Sequence, residues 1–86
     1  MHDSPDDHDL NWLPLDSSAL KATAYLPAER MLYLEFHDGD RYRYFEFPPE
    51  LFKDFLAAES KGAYFARKIR NHFDYEQLPK THHAGG

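Results

Sequence analysis

Cysteine is absent from the 86 residues, which removes disulfides and thiolate–zinc centres from the means by which this fold is held together. No apolar run reaches the length of a membrane-spanning helix or a signal-peptide core, and the expectation is a cytoplasmic protein. Glycine occurs only four times and never in a phosphate-loop pattern. No internal repeat is visible. There is no His-x-x-x-His or other ligand spacing: His2, His8, His82 and His83 belong to the terminal stretches, His37 to a turn and His72 to a helix. Neither a metal nor another cofactor is therefore expected.

Aromatic side chains are plentiful by contrast, with seven Phe, six Tyr and one Trp. A chain this short buries only about 60% of its unfolded surface, which limits it to one core, and large rings are an efficient way to fill that core. The net charge of -5 is unevenly spread. Residues 1–11 carry four Asp and no Lys or Arg, whereas 61–86 carry five basic and two acidic side chains. The acidic, Pro-containing head (1–11) and the KTHHAGG end (80–86) bury too little apolar surface to offset their ordering entropy, so both are expected to be disordered tails around one domain at 12–79. Trp12, Leu13 and Leu15 are placed to fold back onto it.

Alternation predicts three strands. Ser18–Leu26 has Leu20, Ala22 and Ala24 alternating with Lys21, Thr23 and Tyr25; a Pro27–Arg30 turn leads to Met31–His37, with Leu32, Leu34 and Phe36 on one face and Tyr33 and Glu35 on the other. A two-residue Asp38-Gly39 turn would set arginines on the apolar face. A three-residue loop, His37-Asp38-Gly39, with Gly39 left-handed, instead opposes Leu34 to Tyr42 and Leu32 to Tyr44. Phe47 then has the wrong parity for the core, and a bulge near Phe45-Glu46 would correct it.

Pro48-Pro49 ends the third strand and starts a helix over Glu50–Ser60, whose Leu51, Phe52, Phe55 and Leu56 form an apolar stripe. Gly62 reads as its cap residue. A second helix, Ala63–Phe73, presents Tyr64, Phe65, Ile69, His72 and Phe73 inward, with Arg67, Lys68 and Arg70 outward. The expected architecture is α+β: a three-stranded antiparallel meander packed on one face by two C-terminal helices.

DSSALKATAY, LEFHDGDRYRYFEFP and AAESKGAYFARKIR together resemble the KTSC domain, a family named for its occurrence at the C-terminus of lysyl-tRNA-synthetase-related proteins. The resemblance covers about Leu15 to Phe73 and rests on Ser17-Ser18, Tyr25, Gly39, Tyr42-x-Tyr44, Pro48, and Ser60-x-Gly62-x-Tyr64-Phe65 followed by Ile69. Phe47 replaces the family's usual valine, and Ala66 stands where asparagine is common. The resemblance implies a small β-meander-plus-helix module without an established activity.

Two binding surfaces stand out. Lys61, Arg67, Lys68 and Arg70 place four positive charges in ten residues without an acid, a pattern that suits phosphate contacts with RNA or DNA. On the sheet face away from the core, Arg41, Arg43 and Phe45 set an aromatic between arginines, as in single-strand binders, although Glu35 shares that face. The alternative is a protein partner or self-association through a sheet edge or through exposed Tyr33, Phe45 and Trp12. Ser17, Ser18 and Ser60 are expected to satisfy backbone groups at a strand start and a helix end. Nothing arranges them with Asp16 or His37 as a nucleophile, and no enzyme, small-molecule substrate or membrane partner is expected.

Overall fold

The computed structural model describes residues 10–79. Five antiparallel strands lie in chain order: β1 (Leu13–Pro14), β2 (Leu20–Leu26), β3 (Met31–Phe36), β4 (Arg41–Tyr44) and β5 (Tyr75–Leu78). The helices, α1 (Pro49–Ala57) and α2 (Lys61–Tyr64), fall between β4 and β5. The α+β class stands, but the expected three-stranded meander is corrected to five strands, and the helices are not C-terminal to the sheet. The Trp12–Leu15 segment does fold back, pairing Leu13 with Thr23.

The β3–β4 hairpin follows side-chain parity. Leu32 opposes Tyr44 and Leu34 opposes Tyr42. Gly39 takes φ +98 in the three-residue loop, a conformation that side chains with a Cβ resist. Asp38 Oδ1 accepts from the Asp40 N–H and closes the turn. The chain then leaves the sheet at Glu46, whose φ of +55 turns Phe47 into the core, where it is fully buried. Its N–H donates to Arg30 O at 2.8 Å, and its carbonyl accepts the Tyr25 hydroxyl.

In β2 the expected alternation is broken. A bulge between Leu20 and Ala22 moves Lys21 out of register, so that Leu20 shares its face with Thr23 and Tyr25. Ala22 and Ala24 turn to the other face, opposite Glu35 and Tyr33. Buried Thr23 donates its hydroxyl to Tyr33 O at 2.9 Å, which satisfies the one polar side chain so enclosed among the described residues.

Pro48 caps α1 from an extended conformation and Pro49 opens it, where its missing N–H is no loss. Phe55 is fully buried and Phe52 stacks on Tyr25 with ring centroids 4.7 Å apart, but Leu56 is 37% exposed and leaves the expected stripe. The helix ends at Ala57, short of Ser60. Ser60 is instead the N-cap of α2, accepting from the Ala63 N–H at 3.1 Å. Gly62 accordingly lies inside the first turn of α2 and is not a C-cap.

The expected long second helix is also corrected. After Tyr64 the helix widens into a π-turn, Phe65–Ile69, closed by Arg70 N–H to Phe65 O at 2.8 Å. Phe65 packs against the core and Ile69 is fully buried in it, while Arg67, Lys68 and Arg70 are exposed. Asn71 then reverses the chain with φ +67, and His72, expected inward, is exposed. Phe73 returns to meet Phe47, centroids 4.9 Å apart.

Two clusters hold the sheet. On the helix side Leu20, Leu32, Leu34, Tyr44, Phe47, Phe55 and Ile69 form the core. On the far side Leu10, Ala24 and Tyr33 pack with Trp12, Leu26, Met31 and Leu78. Tyr33, expected exposed, is only 6% accessible because the Leu10–Trp12 segment crosses it. Leu10 and Asn11 belong to the expected acidic tail but are among the described residues; the rest of the two tails, residues 1–9 and 80–86, lies outside them.

Candidate nucleic-acid interface

The far-face trio is built into the fold. Arg41 Nε lies 3.6 Å from Glu35 Oε2, and its guanidinium sits 5.1 Å from the centroid of Trp12. Arg43 donates through Nε and Nη2 to Glu76 Oε1 at 2.9 and 2.6 Å, and its guanidinium lies 5.6 Å from the Phe45 ring. Hydrogen bonding to Glu76 raises the Arg43 pKa further. The structure thus brings Arg43 and Phe45 together as expected, but directs both guanidinium groups to carboxylates. The partner missing from the sequence reading is Glu76 on β5, which opposes Arg43 in register.

The helix-borne cations divide into two sets. Lys61 Nζ donates to Ala58 O at 2.7 Å, anchoring the end of α1. Arg67, Lys68 and Arg70 have no ion-pair partner among the described residues. They fall within four positions of the sequence, on a π-turn whose Phe65 and Ile69 pack inward.

Arg70 also lines an open groove of about 470 Å³ between the π-turn, the β3–β4 hairpin and β5. Phe36, Tyr42, Tyr44, Phe65 and Tyr75 form a closed circuit of ring contacts there, with centroids 5.4 to 6.1 Å apart. Tyr44 is 4% accessible, and burial, reinforced by Tyr42 and Tyr75 and partly offset by Arg70, pushes its phenol pKa up to about 12. Its hydroxyl has no hydrogen-bond partner among the described residues. Tyr75 is 57% accessible at the mouth. Sequence reasoning missed this groove because Tyr75 lies on an unforeseen strand; the weak alternation of YEQL was its only signal.

Ser17 and Ser60 act on the backbone. Ser17 Oγ accepts from the N–H groups of Ala19 and Leu20 at 3.2 Å each, and its carbonyl lies 2.8 Å from His37 Nε2. Ser18 is exposed. Among the described residues no three His, Asp or Glu side chains gather as a metal site, and no helix is long and apolar enough to cross a membrane.

These features define a small antiparallel α+β domain that carries, among the described residues, an unpaired cationic segment beside an aromatic groove. The KTSC domain model matches residues 16–73, and the chain belongs to that family. A protein from Tsukamurella paurometabola is 47% identical over 60 residues, covering 70% of this chain and 90% of that one. A lysine–tRNA ligase from a Nostoc species is 39% identical over 81 residues, or 91% of this chain but only 14% of the ligase. The crystal structure of a KTSC domain protein from Yersinia pestis superposes with a TM-score of 0.79 at 28% identity, covering 81% of this chain and 99% of that one. The chain thus spans only a small part of the length of the ligases it matches.

Proposed function

We propose that this KTSC domain is a non-enzymatic binding module that holds nucleic acid by its phosphates through Arg67, Lys68 and Arg70. The observation that carries this reading is the exposure of three cations on one short segment, unpaired among the described residues. Pairing with acids would already have spent their charge; unpaired, they can displace counterions from a phosphate backbone. The presence of a similar segment in lysine–tRNA ligases, enzymes whose name places them on RNA, supports the same direction. Arg41, Arg43 and Phe45 then serve the far face of the sheet, and Lys61 serves the junction of the helices.

Anisotropy of labelled single-stranded RNA and duplex DNA at two salt concentrations tests this. Three phosphate contacts predict a log–log salt slope of roughly -2 for single strands. Arg67→Glu/Arg70→Glu should abolish binding at low salt while the fold persists. No binding by the unmodified chain, or binding indifferent to the double change, refutes the reading.

A second reading rests on β5, an exposed edge strand with open hydrogen-bonding groups on its outer side. It would add a strand from a protein partner or another copy of this chain. Light scattering across a concentration series tests self-association; a strictly monomeric chain removes it.

A further inference from the structure

Binding by phosphates alone would leave the aromatic groove without a role. Rings packed in a core normally shed water on all sides, yet the Phe36–Tyr42–Tyr75–Tyr44–Phe65 circuit is open along one wall. Buried tyrosines usually find a partner for the hydroxyl. Tyr44, only 4% accessible, lines this groove without one among the described residues. The groove therefore offers stacking surface together with an unused donor and acceptor. Arg70 belongs both to its lining and to the exposed cationic segment, so a strand whose phosphates follow Arg67 to Arg70 arrives at the groove. Asp38 of the hairpin also lines it, and like charge keeps phosphate away from that side. Phosphate at Arg70 with a base against the rings is the arrangement that satisfies both constraints.

We infer that the groove is a nucleobase-binding subsite, which takes one unstacked base of a single strand while Arg70 holds the adjoining phosphate. The inference rests on the phosphate reading above for the path of the strand, but the groove makes a separate demand. A base paired and stacked within a duplex cannot enter it, whereas the exposed cations alone contact single strands and duplexes alike.

The test uses a fluorescein-labelled RNA decamer of mixed sequence, presented single-stranded and as a duplex, against Tyr75→Ala, Tyr75→Phe and Arg67→Glu. Tyr75 is 57% accessible, so its truncation leaves the core in place, which Trp12 fluorescence verifies. Tyr75→Ala should weaken single-strand binding on the order of tenfold, with duplex binding unchanged and Tyr75→Phe close to the original chain. Arg67→Glu should weaken both forms. Loss in Arg67→Glu without a selective loss in Tyr75→Ala overturns the subsite and spares the phosphate reading. Titration with adenosine monophosphate, followed by the backbone amide resonances of Asp40 and Asn71, addresses the groove alone. Shifts abolished by Tyr75→Ala uphold the subsite even if no oligonucleotide binds, and their absence at millimolar nucleotide overturns it.

Discussion

Truncating Phe47 to alanine isolates how much of the stability depends on one misaligned ring. Phe47 is fully buried, and its ring meets Phe73 at 4.9 Å and Tyr25 at 6.2 Å between centroids. Its backbone bonds, from its N–H to Arg30 O and from the Tyr25 hydroxyl to its carbonyl, do not need the side chain and survive the change. What is lost is packing, about 3 to 5 kcal/mol for a buried Phe→Ala. A domain of this size has roughly 4 to 10 kcal/mol in total, so the variant sits near the edge of folding. Urea unfolding can be followed through Trp12, the single tryptophan, which packs on Tyr33 across the sheet from Phe47 and thus reports global loss of structure. With a slope near 1 kcal/mol/M, the midpoint should fall by about 3 M or more. A fall below about 1 M at unchanged slope would refute the placement of this ring in the core.

The glycines should respond to alanine with opposite signs. Gly39→Ala forces a Cβ into φ +98 and should cost about 1 kcal/mol or more, whereas a Cβ on Gly62 would meet Ala19 Cβ at 3.7 Å and Ser17 Oγ at 3.8 Å, both ordinary contacts, so Gly62→Ala should gain roughly 0.5 to 1 kcal/mol from helix propensity; paired thermal melts decide. Tyr44 ties stability to alkaline pH. Because its folded pKa of about 12 exceeds the ordinary value of 10, the unfolded chain releases this proton first, so stability is unaffected below pH 10 and falls as pH rises from 10 to 12. Tyr44→Phe should flatten that part of the pH–stability curve and, by removing an unpartnered hydroxyl, cost little at pH 7; an unaltered alkaline limb would show that Tyr44 is not the group responsible.

The hairpin was legible because parity and loop length over-determine it. Leu32, Leu34, Tyr42 and Tyr44 cannot all face inward unless Gly39 belongs to a three-residue loop. Phe47 advertised a break in the strand for the same reason, and Glu46 supplies it. The β2 face was misread because alanine fits either side of a sheet, so the Lys21 bulge leaves no mark in the apolar pattern. β1 is two residues long and contains Pro14, and β5 is mostly exposed; neither carries enough alternation to announce a strand. The π-turn is invisible to a period of 3.6 because Phe65 and Ile69, four residues apart, share a face in an ordinary α-helix as well. Of the candidate site, the cations on the π-turn were readable as a charge run, but the pairings of Arg41 and Arg43 and the aromatic groove depend on Trp12, Glu76 and Tyr75, whose positions follow from strands that local sequence does not reveal.

The return of the chain to β4 after the helices sets the entropic cost of closing the sheet. The β2, β3 and β4 strands pair with sequence neighbours through short turns, so their closure is rapid and carries little entropic burden. Tyr44 and Tyr75 are neighbours across β4 and β5 although the whole segment from Phe45 to Asp74 lies between them in the chain. β5 thus closes the longest connection in the sheet, one that spans α1, α2 and the π-turn. Since Tyr75 and Glu76 ride on it, its transient release would open the aromatic groove and free the Arg43 guanidinium in a single step, while the three central strands stayed paired.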